Sequence, residues 1–446
     1  MGHSHFSTGS QGGEGCTIRL IWYNTFLLHG IELNARMVSD LVAMGAPTLT
    51  PALGTLAALG EKLSLGPRSR LRVGAKPSTR QRASELGARL GELHRAQGAE
   101  VMVAALGEVF CPQLLDTIRD GLDETGVLGA SGPGAGMGGA GLGGAGNEPP
   151  RWMQSLAAAA SDELPMSSGL RTLSVGRPIS RVVAEPFHLT RAAHDGSALT
   201  LLNRGHPIRD PDFWANKGVL LTEIDLGFGG IELYTTHLFS GQVIGEALWL
   251  GLQRLTRRRP WLAGTLARAL QNPVAARLLD RFEAQRHFFS LPKKKRLLVQ
   301  RAQLRQLNEF ICRHHRAQNV VVVAGDFNLN WHDASARALL ADTLDQLAGA
   351  GIVLDDVWAG ARANDSSLVT MIEPACLFEY EQSQASTPEW LDYVFIERET
   401  EAHEATLAIA SQQLRHFARQ PGSEGMRFLS DHIGLEVMLR AAPRRP

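Results

Sequence analysis

The run NVVVVAGDF, residues 319–327, constrains the chain more than any other stretch. Valine branches at Cβ, which favours extended backbone over helix. An apolar run without polar alternation must be covered on both faces, so this strand belongs inside a layered sheet. Other runs read as strands too: TIRLIWYN (17–24), EVMVAAL (100–106), GLRTLSV (169–175), KGVLLTEIDL (217–226), IELYTTHL (231–238), WLDYVFIE (390–397) and IGLEVML (433–439). The FGG of residues 228–230 marks a hairpin between two of them. Leu86, Leu90 and Leu93 recur at helical spacing within 81–97, and PQLLDTIRDGL (112–122) reads as a second helix. Strands and helices alternate without a strict βαβ rhythm. The expected fold class is α/β, a four-layered sandwich of two mixed β-sheets flanked by helices.

Lys plus Arg number 45 and Asp plus Glu 45 in 446 residues, a net charge of zero. That balance excludes a protein that binds nucleic acid through bulk positive charge. A hydrophobic share of 44% excludes an acidic disordered chain. Cys16, Cys111, Cys312 and Cys376 lie too far apart for a zinc site or a disulfide framework. The start, MGHSHFSTGSQGGEG, has no apolar core of a secretory signal, and no apolar run is long enough to span a bilayer. A cytoplasmic or peripheral membrane location is expected. Residues 1–16 read as a flexible tail and 17–440 as a single domain. Two insertions interrupt it, a Gly-rich loop at 126–150 and a basic helical segment at 243–296, part of a longer helical stretch running from Gln242 to about Arg316.

Short polar motifs sit where the strands end, the place at which functional loops begin. They are YN at 23–24, GEVF at 107–110, TTHL at 235–238, GDFN at 325–328, LDY at 391–393 and SDH at 430–432. Alone, an Asp after a strand is most often a turn or cap residue, and a lone His is more often packed or solvated than catalytic. Together they place carboxylates, amides and imidazoles at a series of strand ends. Phosphoester hydrolysis needs an activated water, neutralised phosphoryl charge and a polar group near the leaving oxygen. Glu108 offers a hard oxygen to a cation such as Mg²⁺, which keeps several waters and takes few carboxylates.

In this order and spacing the motifs resemble the endonuclease/exonuclease/phosphatase superfamily, which has the deoxyribonuclease I-like fold. The resemblance runs from Asn24 to His432. It implies an Mg²⁺-dependent phosphodiesterase, with Mn²⁺ or another divalent cation as a substitute. Glu108 is then the main metal ligand, with Asn24 and Asp431 close to the ion. His432 is the general acid/base or phosphate-contacting imidazole, oriented by Asp392. Asp326 aligns or deprotonates the attacking water, Asn328 donates to a phosphoryl oxygen, and His237 brings a second imidazole to the phosphate.

Within the superfamily, YNTFLL with apolar Phe26, EVF at 108–110 and NKGVLL at 216–221 are similar to neutral sphingomyelinases. In that group a Lys-Gly pair precedes the strand leading to the catalytic His, so Lys217 is a candidate phosphate contact. The alternative is an ordinary surface lysine at a strand start. The segment 254–305 is rich in Arg and Lys, with Asp280 and Glu283 its only acids, and carries Trp261, Phe282, Phe288 and Phe289. Cationic helices with aromatic residues suit an anionic membrane interface, although the same composition can grip nucleic acid or form a solvated face. The chain departs from secreted sphingomyelinases in having only Phe417 and Phe428 as aromatics within 398–429. The expected substrate is a phospholipid head group. The competing readings are a deoxyribonuclease I-type endonuclease and a catalytically silent membrane-binding module.

Overall fold

The computed structural model of the chain describes residues 15–25, 27, 32–34, 70–72, 77–96, 99–109, 112–125, 169–187, 217–240, 242–244, 288–290, 293–372, 389–419 and 427–444. The Gly-rich stretch 126–150, Phe26, Phe110 and residues 245–287 lie outside the described residues. In chain order the elements are β1 (Cys16–Asn24), β2 (Glu32–Asn34), β3 (Arg70–Arg72), α1 (Pro77–Ala96), β4 (Val101–Gly107), α2 (Pro112–Glu124), β5 (Arg171–Val175) and β6 (Ile179–Pro186). They continue with β7 (Gly218–Asp225), β8 (Gly230–His237), β9 (Gln242–Ile244), β10 (Phe288–Ser290), α3 (Lys293–His314), β11 (Val320–Asp326), α4 (Ala334–Gly349) and β12 (Leu354–Asp356). The last are α5 (Ala359–Asn364), β13 (Asp392–Glu397), β14 (Ala405–Arg415) and β15 (Gly434–Pro443).

The valine run becomes β11, buried along its whole length at the middle of a six-stranded sheet ordered β12-β13-β11-β8-β7-β6. A five-stranded sheet, β14-β15-β1-β4-β5, faces it. Both are mixed. β1 runs parallel to β4 and antiparallel to β15, and β11 runs parallel to β8 and antiparallel to β13. Side-chain alternation along β1 shows the layering. Ile18, Leu20 and Trp22 point into a core shared with the six-stranded sheet. Ile21 and Tyr23 point the other way, onto Leu86 and Leu90 of α1 and Leu115 and Ile118 of α2. On the side of the second sheet, Leu304, Leu307 and Phe310 of α3 and Leu339 and Leu340 of α4 close the core. Two mixed sheets flanked by helices are thus the architecture that the strand pattern called for.

Some expectations need correction. Cys16 is not tail but the first residue of β1, paired with Ala441 of β15. The basic segment, expected to be helical from Gln242, instead opens as strand β9, which pairs with β10 in an antiparallel ribbon, with Val243 opposite Phe289. Backbone groups of the two strands satisfy each other there, and helix α3 runs from Lys293 to His314, within the stretch expected to be helical. Within the interval 398–429 lies β14, Ala405–Arg415. It is an edge strand whose residues are mostly half or fully exposed, so it lacks the apolar run that marks an interior strand. No helix among the described residues is long and apolar enough to cross a membrane.

The outer helices α1 and α2 pack closely because Gly87 has no side chain. A Cβ there would overlap the carbonyl of Ile118. Backbone cannot yield as a flexible side chain does, so the helices would have to separate. Gly87→Ala is expected to destabilise the fold by about 1–3 kcal/mol, the cost typical of overpacking. Urea unfolding at constant slope checks this, and an unchanged midpoint would contradict the close crossing.

Candidate active site

Parallel neighbours bring their C-terminal ends together, and an antiparallel neighbour adds its N-terminal end at the same edge. In the five-stranded sheet, the last parallel pair of β1 and β4 is Asn24 opposite Gly107, with Glu108 next. In the six-stranded sheet, the last parallel pair of β8 and β11 is His237 opposite Asp326, and β13 starts at Asp392, also opposite Asp326. Asp431 and His432 precede β15, the antiparallel partner of β1. The two sheets therefore deliver all of these groups to one edge of the sandwich. They join there directly: Asn24 Nδ2 donates to Asp326 Oδ2 at 3.1 Å.

His432 and Asp392 form a pair, with Nδ1 and Oδ2 2.8 Å apart. The other ring nitrogen, Nε2, lies 3.4 Å from Asn24 Nδ2 and 3.8 Å from Asp326 Oδ2. Asp326 Oδ1 accepts the backbone N–H of Asn328 at 2.9 Å. His237 Nε2 lies 3.3 Å from Asp326 Oδ2 and 3.8 Å from Glu108 Oε1. Lys217 is no surface residue. It is 4% exposed, with Nζ 2.9 Å from His237 Nε2 and 2.8 Å from the carbonyl of Leu238. Asn328 also departs from expectation, because its side-chain amide donates to the Leu238 carbonyl at 3.0 Å. Among the described residues, Glu108 (φ 58°) and Asn328 (φ 50°) are the non-glycine residues with positive φ. Asn tolerates that region, but for Glu it is a strain of order 1–3 kcal/mol that surrounding contacts must hold in place.

Burial and charge set the protonation states. Burial pushes the Glu108 carboxyl up to about 8, reinforced by Asp431 and opposed by His432 and Lys217. Burial, then the Asp392 charge, pushes Asp326 up to about 7. His237 is held well below the usual imidazole range by burial and by the Lys217 and His432 charges, so it is neutral. Burial would lower His432 as well, but the charge and hydrogen bond of Asp392, with Asp326 and Asp431, raise it well above that range. The site thus holds a neutral and a cationic imidazole side by side.

A divalent cation fits one part of this cluster. Asn24 Oδ1 and Glu108 Oε2 are both buried without a hydrogen-bond partner, at neighbouring strand ends. Two orphaned hard oxygens are costly unless a cation satisfies them. Asp431 carries the largest charge effect on Glu108 and would complete the set. Asp326, Asp392 and His432 also have ligand atoms within 4.8 Å of one another. Both Asp392 oxygens are already committed, Oδ2 to His432 and Oδ1 to the indole N–H of Trp22 at 2.8 Å. The orphaned pair is therefore the better cation site.

Three supporting residues were not identified from the sequence. Trp22 holds Asp392, as just described. Ser430 Oγ donates to the Asn24 carbonyl at 2.6 Å and accepts the His432 N–H at 3.1 Å. Gln300 Nε2 donates to the carbonyls of Phe239 (2.9 Å) and Asn328 (2.8 Å), tying together the loops after β8 and β11. Ser430 lay within a quoted motif. Gln300 sits on a helix with no local signal that points to the site.

No protein-family model matches the sequence, and neither does any curated protein. Solved structures of similar plan include sphingomyelinase C from Streptomyces griseocarneus, at 16% identity and TM-score 0.40, covering 95% of this chain and 99% of that one. Another is a Staphylococcus aureus beta toxin mutant with bound magnesium ions, at 12% identity and TM-score 0.41, covering 96% and 99%. A third is D. rerio TDP2 complexed with single strand DNA product, at 11% identity and TM-score 0.40, covering 95% and 98%. At such TM-scores, function has to be judged from the geometry of the site.

With a carboxyl that titrates near 8, Glu108 is largely protonated at pH 7 in the metal-free protein. A cation requires it ionised, so Mg²⁺ binding at pH 7 is expected to release about one proton and to tighten as pH rises towards 8. Calorimetry in buffers of different ionisation enthalpy reads that release. Glu108→Gln should abolish it and weaken Mg²⁺ about tenfold or more; equal proton release by the variant would refute the ligand assignment.

Proposed function

We propose that this protein is a divalent-cation-dependent phosphodiesterase of the endonuclease/exonuclease/phosphatase type. One observation carries the reading. Two orphaned cation-ligand oxygens, on Asn24 and Glu108, sit at the same sheet edge as Asp326 and the His432–Asp392 pair. A structural charge cluster would pair its oxygens internally, whereas a hydrolytic site leaves them for a ligand.

A divalent cation at Asn24 Oδ1 and Glu108 Oε2, with Asp431 nearby, would supply charge neutralisation for the phosphoryl group and Lewis acidity. The remaining steps belong to the chain's own side chains. Asp326 titrates near neutrality, which suits it to take a proton from the attacking water at Oδ2. The Nδ1–H of His432 is held by Asp392, so its Nε2–H faces Asp326 and Asn24 and can donate to the departing or phosphoryl oxygen. As the water oxygen bonds to phosphorus, the ester P–O bond breaks and the leaving oxygen takes that proton. Asn24 Nδ2 keeps Asp326 Oδ2 aimed into the site. Burial, with the Lys217 charge, keeps His237 neutral, leaving this imidazole to make polar contact with phosphate.

A phospholipid-type head group is the substrate favoured by the basic, aromatic insertion 243–296. Its chain leaves at β9 and returns at β10, a few residues after His237. A cationic, aromatic insertion that follows His237 in sequence by only a few residues suits an anionic lipid surface.

Purified protein with Mg²⁺, and then with EDTA, should be given bis-p-nitrophenyl phosphate, sphingomyelin or phosphatidylcholine vesicles, and plasmid DNA. Cation-dependent release of a phosphorylated head group is expected. Plasmid nicking would instead make the protein a nuclease, and vesicle binding without any hydrolysis a silent module. His432→Ala and Asp326→Ala should each cut turnover by about 10²–10⁴-fold with the fold intact by circular dichroism. Wild-type turnover by either variant would sink the assignment.

A further inference from the structure

Trp22 stands on the five-stranded sheet, yet its polar atom serves a residue of the six-stranded one. Side chains at Trp22 and Asn24 lie on the same face of β1, the face turned to the second sheet. The indole is fully buried, and its Nε1–H reaches across the interface to Asp392 Oδ1 at 2.8 Å. Its neighbour on β4 is shaped to admit it. A Cβ at Gly107 would lie 3.0 Å from Trp22 Cη2 and 3.3 Å from Cζ2, so any larger residue would push the ring away.

We infer that Trp22 is a positioning residue of the phosphodiesterase site, whose indole N–H orients Asp392 and through it fixes the direction of the His432 ring. The inference rests on the function proposed above. Its chemistry is one-directional. An indole nitrogen only donates, so Asp392 Oδ1 is held as an acceptor. The carboxylate plane is then set, and Oδ2 is left to face His432 Nδ1 at 2.8 Å. Nδ1 must carry the hydrogen in that bond, which keeps Nε2 pointing at Asn24 and Asp326. Asp392 has no solvent to turn towards, since it is completely buried. Its backbone is anchored separately, by the Thr370 hydroxyl accepting the N–H of Leu391 at 2.9 Å and of Asp392 at 3.3 Å. Removing the indole N–H therefore leaves the strand in place and frees only the carboxylate to rotate. A second-sphere donor of this kind typically matters 10–100-fold.

The test is Trp22→Phe in the full chain, together with a chain carrying 3-benzothienylalanine at position 22, which keeps the bicyclic shape and loses the N–H. For both, kcat on bis-p-nitrophenyl phosphate with Mg²⁺ should fall about tenfold or more while KM stays within about a factor of two. The side-chain ¹⁵N–¹H spectrum of His432, identified by its loss in His432→Ala, should show the low-field Nδ1–H of the wild type shifted upfield or broadened by solvent exchange once Asp392 no longer holds it. Wild-type kcat and an unchanged Nδ1–H signal in the benzothienyl chain would overturn the inference. So would a loss confined to KM or to thermal stability. If the wild type hydrolyses no phosphodiester at all, the proposed function fails on that result. The His432 signal then decides the role of Trp22 separately.

Discussion

The Asn24–Asp326 hydrogen bond is the contact on which the rest of the site depends. It links the end of β1 in one sheet to the end of β11 in the other, within a buried edge of the sandwich. Each sheet contains one parallel pair, and parallel pairing is what makes two strand ends coincide. A purely antiparallel sheet would have alternated the ends and separated Asn24 from Glu108, and His237 from Asp326. The antiparallel strands β13 and β15 then bring in Asp392 and His432 from their starts. Topology, more than any single side chain, concentrates the chemistry.

Concentrating it is costly. Asp326, Asp392, Lys217, His237 and His432 are all buried, and an unpaired charge in such surroundings is strongly unfavourable. The site answers by pairing. His432 is cationic against Asp392, Lys217 caps a neutral His237, and Asp326 titrates near neutrality. The oxygens of Asn24 and Glu108 remain outside this internal accounting. They and the left-handed backbone at Glu108 form the strained, unsatisfied part of the structure, and there a ligand has most to offer.

Much of this was legible along the chain because of where polar residues interrupt apolar runs. The valine run of β11 and the short apolar, β-branched run of β1 locate strands, and each ends in a residue that reaches the site: Asp326 and Asn24. Elements with weaker patterns were not legible. β14 is an edge strand with little to bury, and the β9–β10 ribbon is too short to outweigh the helical look of its flanks. Lys217 could be named but not placed, since a lysine at a strand start is ambiguous until the partner strand and its histidine are known.

Local sequence settled which residue types stand at which strand ends, because apolar periodicity and β-branching are properties of a few neighbouring residues. Long-range pairing settled the remainder. That Trp22 serves Asp392, 370 positions away, follows from the facing of two sheets. So do the direction of His432, the raised carboxyls of Glu108 and Asp326, and the two orphaned oxygens. Desolvation and hydrogen-bond geometry depend on what surrounds a group in space, and no window of sequence contains that surrounding.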